Sequence, residues 1–93
     1  MTTDTQQLAE TIRADVKKYE AQFNFDGDRE FEKLIAKDVT ALNAVADLVE
    51  RGDMRGAYRK WSRLDSEPRQ ALSQKAWRAL TNGNAIGHTE HDR

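Results

Sequence analysis

Apolar residues return every three or four positions along most of the chain, with polar residues filling the gaps. The clearest stretch runs from Asp28 to Arg51. Wound at 3.6 residues per turn, it places Phe31, Ile35, Leu42, Val45 and Val49 within about 40° of one line. Leu34, Val39, Ala41, Ala46 and Leu48 widen that stripe to about half the helix circumference. Asp38 falls almost at its centre, where no charge is expected. A carboxylate buried there needs donors or a proton, and Arg13, Tyr19, Tyr58 and the Trp61 indole are candidate donors. The alternative is a gap in the packing through which Asp38 reaches water.

The same periodicity predicts three more helices. The first runs from about Thr5 to Phe23 on Leu8, Ile12, Val16, Tyr19 and Phe23, after a frayed start at residues 1–4. Asn24 to Asp28 breaks the pattern, with Gly27 for the turn and Asp28 as N-cap of the long second helix. Gly52 suits the end of that helix and Asp53 the cap of the next, which runs from Met54 to Leu64 with Ala57, Tyr58 and Trp61 inward. Gly56 inside it suggests a close approach by another helix. Asp65 to Pro68 forms a boundary, because proline is tolerated only in a first turn. A fourth helix over about Glu67–Thr81 aligns Leu72, Ala76, Ala79 and Leu80, and Asn82-Gly83-Asn84 is expected to stop it. The predicted fold is all-α: a small irregular four-helix bundle or antiparallel helical array with short loops. Residues 1–81 form one helical domain and residues 82–93 a flexible C-terminal tail, pinned at most by Ile86.

Composition adds limits. Ninety-three residues suffice for one modest core, and 33% charged residues with a single Pro fit a water-soluble helical protein. No apolar run exceeds three residues, so no membrane span is expected, and MTTDTQQLAE lacks the features of a signal peptide. The lack of cysteine excludes disulfides and thiolate metal sites and suits a cytoplasmic location.

The net charge of -1 conceals a division. Residues 1–50 carry 6 Lys/Arg against 11 Asp/Glu, whereas residues 51–78 carry 8 against 3. An acidic half joined to a basic half can steer a partner, pair with a second copy, or neutralise itself within the fold.

Catalytic chemistry finds little support. Both histidines, His88 and His91, lie in the expected tail, and there is no Gly-rich phosphate loop. His88, Glu90, His91 and Asp92 could meet a divalent metal, but ordering a flexible terminus is costly. Asp26, Asp28 and Glu30 invite a calcium-loop reading. In either register, the glycine and bidentate glutamate positions are occupied by other residues, so the reading fails. Arg51-Gly52-Asp53 spells an adhesion tripeptide, yet a helix stop and restart requires those residue types there anyway. No enzymatic activity, cofactor or metal is expected.

The basic half is the candidate site. Arg55, Arg59 and Arg63 recur every four residues and form one ridge, with Lys60 beside it and Arg78 continuing the charge into the fourth helix. Trp77 lies about 140° from Leu72, so it is either buried on a second side or an exposed anchor; a small domain's need for large core residues favours burial. Gly52-Asp53, Ala57, Trp61, Leu64 and Pro68 resemble the Gly-Asp, Ala, aromatic, apolar and Pro run of a tetratricopeptide hairpin, over residues 38–68 and one unit only. Ala41, Val45 and Leu48 stand where that family carries Trp, Gly and Tyr, and the Pro comes one position early. The resemblance implies helical-hairpin packing and a protein-binding role. The expected function is therefore a non-enzymatic adaptor or inhibitor that docks on another protein with an acidic surface. Nucleic-acid binding through the same face is the alternative, although a pI near 6 argues against it. Self-association, including a homodimer, is the third reading.

Overall fold

The computed structural model describes residues 4–91, with side chains placed as far as Gly83. Five helices follow one another: α1 (Asp4–Ala21), α2 (Arg29–Glu50), α3 (Met54–Ser62), α4 (Ser66–Gln70) and α5 (Gln74–His91). The all-α prediction holds, with one more helix than the periodicity suggested.

The central helix is α2. Its N-cap Asp28 accepts a hydrogen bond from the Phe31 N–H at 3.1 Å, and Ile35, Leu42, Val45, Ala46 and Val49 are buried. α1 packs along it with Ala9, Ile12, Val16 and Tyr19, and α3 covers its C-terminal half. α3 in turn packs on α5, which contributes Ala76 and Leu80 to the same core. Arg13 spans α1 and α2, donating to Asp47 at 2.7 Å and Glu50 at 3.0 Å. The hydrogen bonds to Glu50 and then Asp47 raise the guanidinium pKa above its ordinary value. At this exposure each pair contributes about 0–1 kcal/mol.

Local chemistry explains the turns. α1 stops at Ala21 because Gln22 and Phe23 tighten into three-residue bonds to Tyr19 and Glu20. Phe25-Asp26-Gly27-Asp28 then forms a tight turn, with Asp28 N–H on the Phe25 carbonyl at 2.8 Å and positive φ at Asp26 (48°) and Gly27 (86°). This folds Phe25 back so that Tyr19 meets Phe23, and Phe23 and Phe25 each meet Phe31, edge to face with ring centres 4.9–5.7 Å apart. At the other end of α2, Gly52 (φ 88°) donates to Val49 O and Asp53 to Leu48 O. That is the six-to-one and five-to-two pair of a Schellman stop, and it needs the left-handed residue at Gly52.

The largest departure lies after Pro68. A continuous helix over Glu67–Thr81 is expected, yet Ala71-Leu72-Ser73 breaks it into α4 and α5. Ser73 restarts the helix as a cap: its hydroxyl accepts from Ala76 N–H at 3.3 Å and its carbonyl from Trp77 N–H at 3.0 Å. The Ser73 N–H, no longer needed within a helix, donates to Asp15 of α1 at 2.9 Å. Asp15→Ala is expected to lower stability by about 1 kcal/mol. Asp15→Asn should lose less, since an amide oxygen still accepts; urea midpoints would check both.

Four further expectations are corrected. The helix does not stop at Asn82-Gly83-Asn84: α5 continues to His91. Residues 92–93 of the expected tail lie outside the described residues, as do residues 1–3 and the side chains of Ile86, His88, Glu90 and His91. Gly83 serves packing instead, since a Cβ there would meet the Met54 side chain of α3 at 2.5 Å. Gly56 makes room for no other helix; a Cβ there would strike the Asp53 carboxylate that caps α3. Leu34 is not part of the core and is 59% exposed. Asp38 is half-buried rather than buried, and it accepts a hydrogen bond from Tyr19, one of the expected donors, at 3.2 Å.

Candidate functional site

α3 presents the expected basic ridge. Its N-cap Asp53 accepts from Gly56 N–H at 2.9 Å, which commits the carboxylate of the Arg51-Gly52-Asp53 tripeptide to a structural task. Arg59, Lys60 and Arg63 are exposed, and Arg55 at the start of the ridge is half-buried and already has a partner. Arg59 and Lys60 also stand in the last turn of α3, where cations favour the helix dipole.

Trp77 and Arg78 belong to a different place. At about 100° per residue, Arg59 lies roughly 160° around α3 from Trp61. Trp61 points instead toward α4 and α5, where its indole N–H donates to the Arg69 carbonyl at 3.2 Å and anchors α4. Between them opens a groove of about 400 Å³ lined by Trp61, Ser66, Arg69, Gln70, Leu72 and Trp77. Trp77 is 36% exposed, so the expectation of a second buried side for it is overturned. The Arg78 guanidinium carbon lies 5.8 Å from the centre of the Trp77 ring, within cation–π range. The structure thus divides the predicted patch in two: the arginine ridge on the outer side of α3, and on its inner side an aromatic groove walled in part by Arg69, with Arg78 against the Trp77 ring.

α4 separates this groove from another of about 620 Å³, whose walls include Asp15, Lys18, Tyr19, Phe23 and Glu67. The Tyr19 hydroxyl there is pushed up to about 12, chiefly by burial, then by the Asp38 charge and hydrogen bond and by Glu67. Among the described residues no group of His, Asp and Glu is arranged to hold a metal ion, and no helix is long and apolar enough to cross a membrane.

The charged groups of the two halves are used differently. In the acidic half, Asp47 and Glu50 hold Arg13, Asp15 accepts from Ser73, Asp28 caps α2 and Asp38 accepts from Tyr19. In the basic half, none of Arg59, Lys60, Arg63, Arg69 and Arg78 forms an ion pair among the described residues. The dipole of the chain is therefore not cancelled by contacts between its halves at these positions.

The aromatic groove was not visible in the sequence. Its formation depends on the α4–α5 break, whose one signal was Ser73 three residues ahead of Ala76 within an otherwise helical pattern. The run resembling a tetratricopeptide unit does fold as a hairpin of α2 against α3, but its arms are unequal at 22 and 9 residues. Comparison with family models, with curated proteins and with solved structures finds no match.

Proposed function

We propose that the protein is a non-enzymatic docking protein, an adaptor or inhibitor that binds an acidic surface of another protein through basic residues of α3, α4 and α5. The observation that carries this reading is the unequal use of charge. Five of the eleven carboxylates in residues 1–50 are engaged, Asp28 in a cap, Asp47 and Glu50 in the Arg13 clamp, and Asp15 and Asp38 in bonds to Ser73 and Tyr19, while Arg59, Lys60, Arg63, Arg69 and Arg78 are exposed without an ion pair among the described residues. Guanidinium groups left in this way pair readily with carboxylates across an interface and raise the rate of encounter. Trp77, exposed beside Arg78 on the inner side of α3, supplies the aromatic area that such interfaces concentrate.

The test is a double charge reversal, Arg59→Glu with Arg63→Glu, on residues that point to solvent. Capture of the partner from native lysate is expected to be lost, with the helical circular dichroism unchanged. Equal capture by the reversed protein would overturn the assignment of the ridge.

A further inference from the structure

We propose that the groove between Trp61 and Trp77 receives a bulky apolar side chain from an acidic segment of the partner, with Arg69 and Arg78 holding the carboxylates that flank it. This rests on the docking function above and names the chemistry of the partner segment.

The groove has the make-up of an anchor site. Its floor is Trp61, Leu72 and Trp77, and its volume of about 400 Å³ falls within the range of pockets that enclose compact apolar groups. The Trp61 ring is held before anything binds by its bond to the Arg69 carbonyl, and the Ser73 restart of α5 sets the backbone that carries Trp77. Preorganised aromatics of this kind lose little entropy on association.

Charge selects the occupant. Among the described residues Arg69 is the charged residue in the groove wall and no carboxylate lines the groove, and Arg78 lies over the Trp77 ring. α4 places its own Glu67 on the opposite side, in the groove that contains Asp15. A five-residue helix thereby sorts an acidic side from a basic one, and the apolar floor lies on the basic side. A basic segment would meet repulsion there, and an uncharged one would leave both guanidinium groups without partners. A nucleic acid strand fits less well. Single-strand grooves stack successive bases along a basic track, whereas this one offers a single exposed indole on a chain of net charge -1.

The experiment uses the full chain and a labelled twelve-residue peptide with five Asp or Glu residues on each side of a central Phe-Leu pair, read by fluorescence anisotropy. Saturable binding is expected, weakened about tenfold or more when Phe-Leu becomes Ala-Ala. Trp77→Ala and the pair Arg69→Glu with Arg78→Glu should each weaken it to a similar extent with helicity kept, whereas Trp77→Phe retains most of it. If the groove variants bind normally and Arg59→Glu with Arg63→Glu does not, the anchor site is wrong while the basic-face reading stands. If the peptide fails to bind, or neither set of variants matters, both fall. Tighter binding of a single-stranded oligonucleotide, lost in Trp77→Ala, would overturn the proposal in favour of nucleic acid. Dimerisation abolished by Trp77→Ala would overturn it in favour of a second copy.

Discussion

Replacing Leu42 by Ala is expected to lower the unfolding free energy by about 2–5 kcal/mol, whereas the same change at Leu34 should cost no more than about 0.5 kcal/mol. Both leucines lie on α2 and both fall within its apolar stripe in the sequence. Leu42 has no exposed surface and sits in mid-helix, within the core shared by α1, α2, α3 and α5. Removing it forfeits the transfer energy of three carbons and leaves a cavity that surrounding helices close only in part. Leu34 is 59% exposed and leaves no cavity when shortened. A domain of this size has a total stability of only about 5–14 kcal/mol, so the Leu42 change removes a large share of it. Urea titrations of the two variants, followed by helical circular dichroism, would give the difference directly. Similar midpoints for both would mean that the open flank at Leu34 is closed in solution.

The second large effect is on alkaline stability. Tyr19 is 5% exposed, and its hydroxyl is pushed from 10 to about 12 in the folded state, first by burial and then by Asp38. The unfolded chain releases this proton near pH 10, and the folded chain holds it until about pH 12. Below pH 10 the contribution is fully present. As pH rises from 10 to 12 the unfolded state binds fewer protons than the folded state, and stability falls, by at most about 2–3 kcal/mol. Tyr19→Phe has no proton to lose at this position and should show a shallower decline over the same window. The two proteins should therefore converge as pH rises. Asp38 is half-buried and can accept from water once the hydroxyl is gone, so the variant is expected to fold. Comparing the two proteins between pH 9 and pH 12 isolates Tyr19 from the lysines that titrate alongside it. Parallel curves would show that the hydroxyl is solvated in the folded protein.

Much of the fold was legible because its signals are local. The Asp28 and Asp53 caps, the glycine stop at Gly52 and the buried positions of α1 and α2 all follow from residue type and spacing. The break at Ala71-Leu72-Ser73 was not legible, because the hydrogen bond that accompanies it comes from Asp15, 58 residues away in the chain. Gly83 misled for a related reason. Glycine after a helical run usually ends it, but here the missing side chain admits Met54 from another helix. The candidate site divides along the same line. Residue identity and four-residue spacing placed Arg59 and Arg63 on one solvent-facing ridge, whereas pairing Trp61 with Trp77 required the α4–α5 break.

The sequence by itself determined an all-α chain, the positions of most helix ends, one central helix and an acidic half followed by a basic half. These are encoded in periods of three and four residues and in short-range capping, which act within a turn or two of the chain. Only the tertiary structure decided that Asp38 is half-buried against Tyr19, that Leu34 faces solvent, and that α4 separates an acidic groove from a basic one. Each of these depends on which faces of α1, α2, α4 and α5 meet. That choice is settled by packing and by contacts such as Asp15 to Ser73, between residues that no local pattern connects.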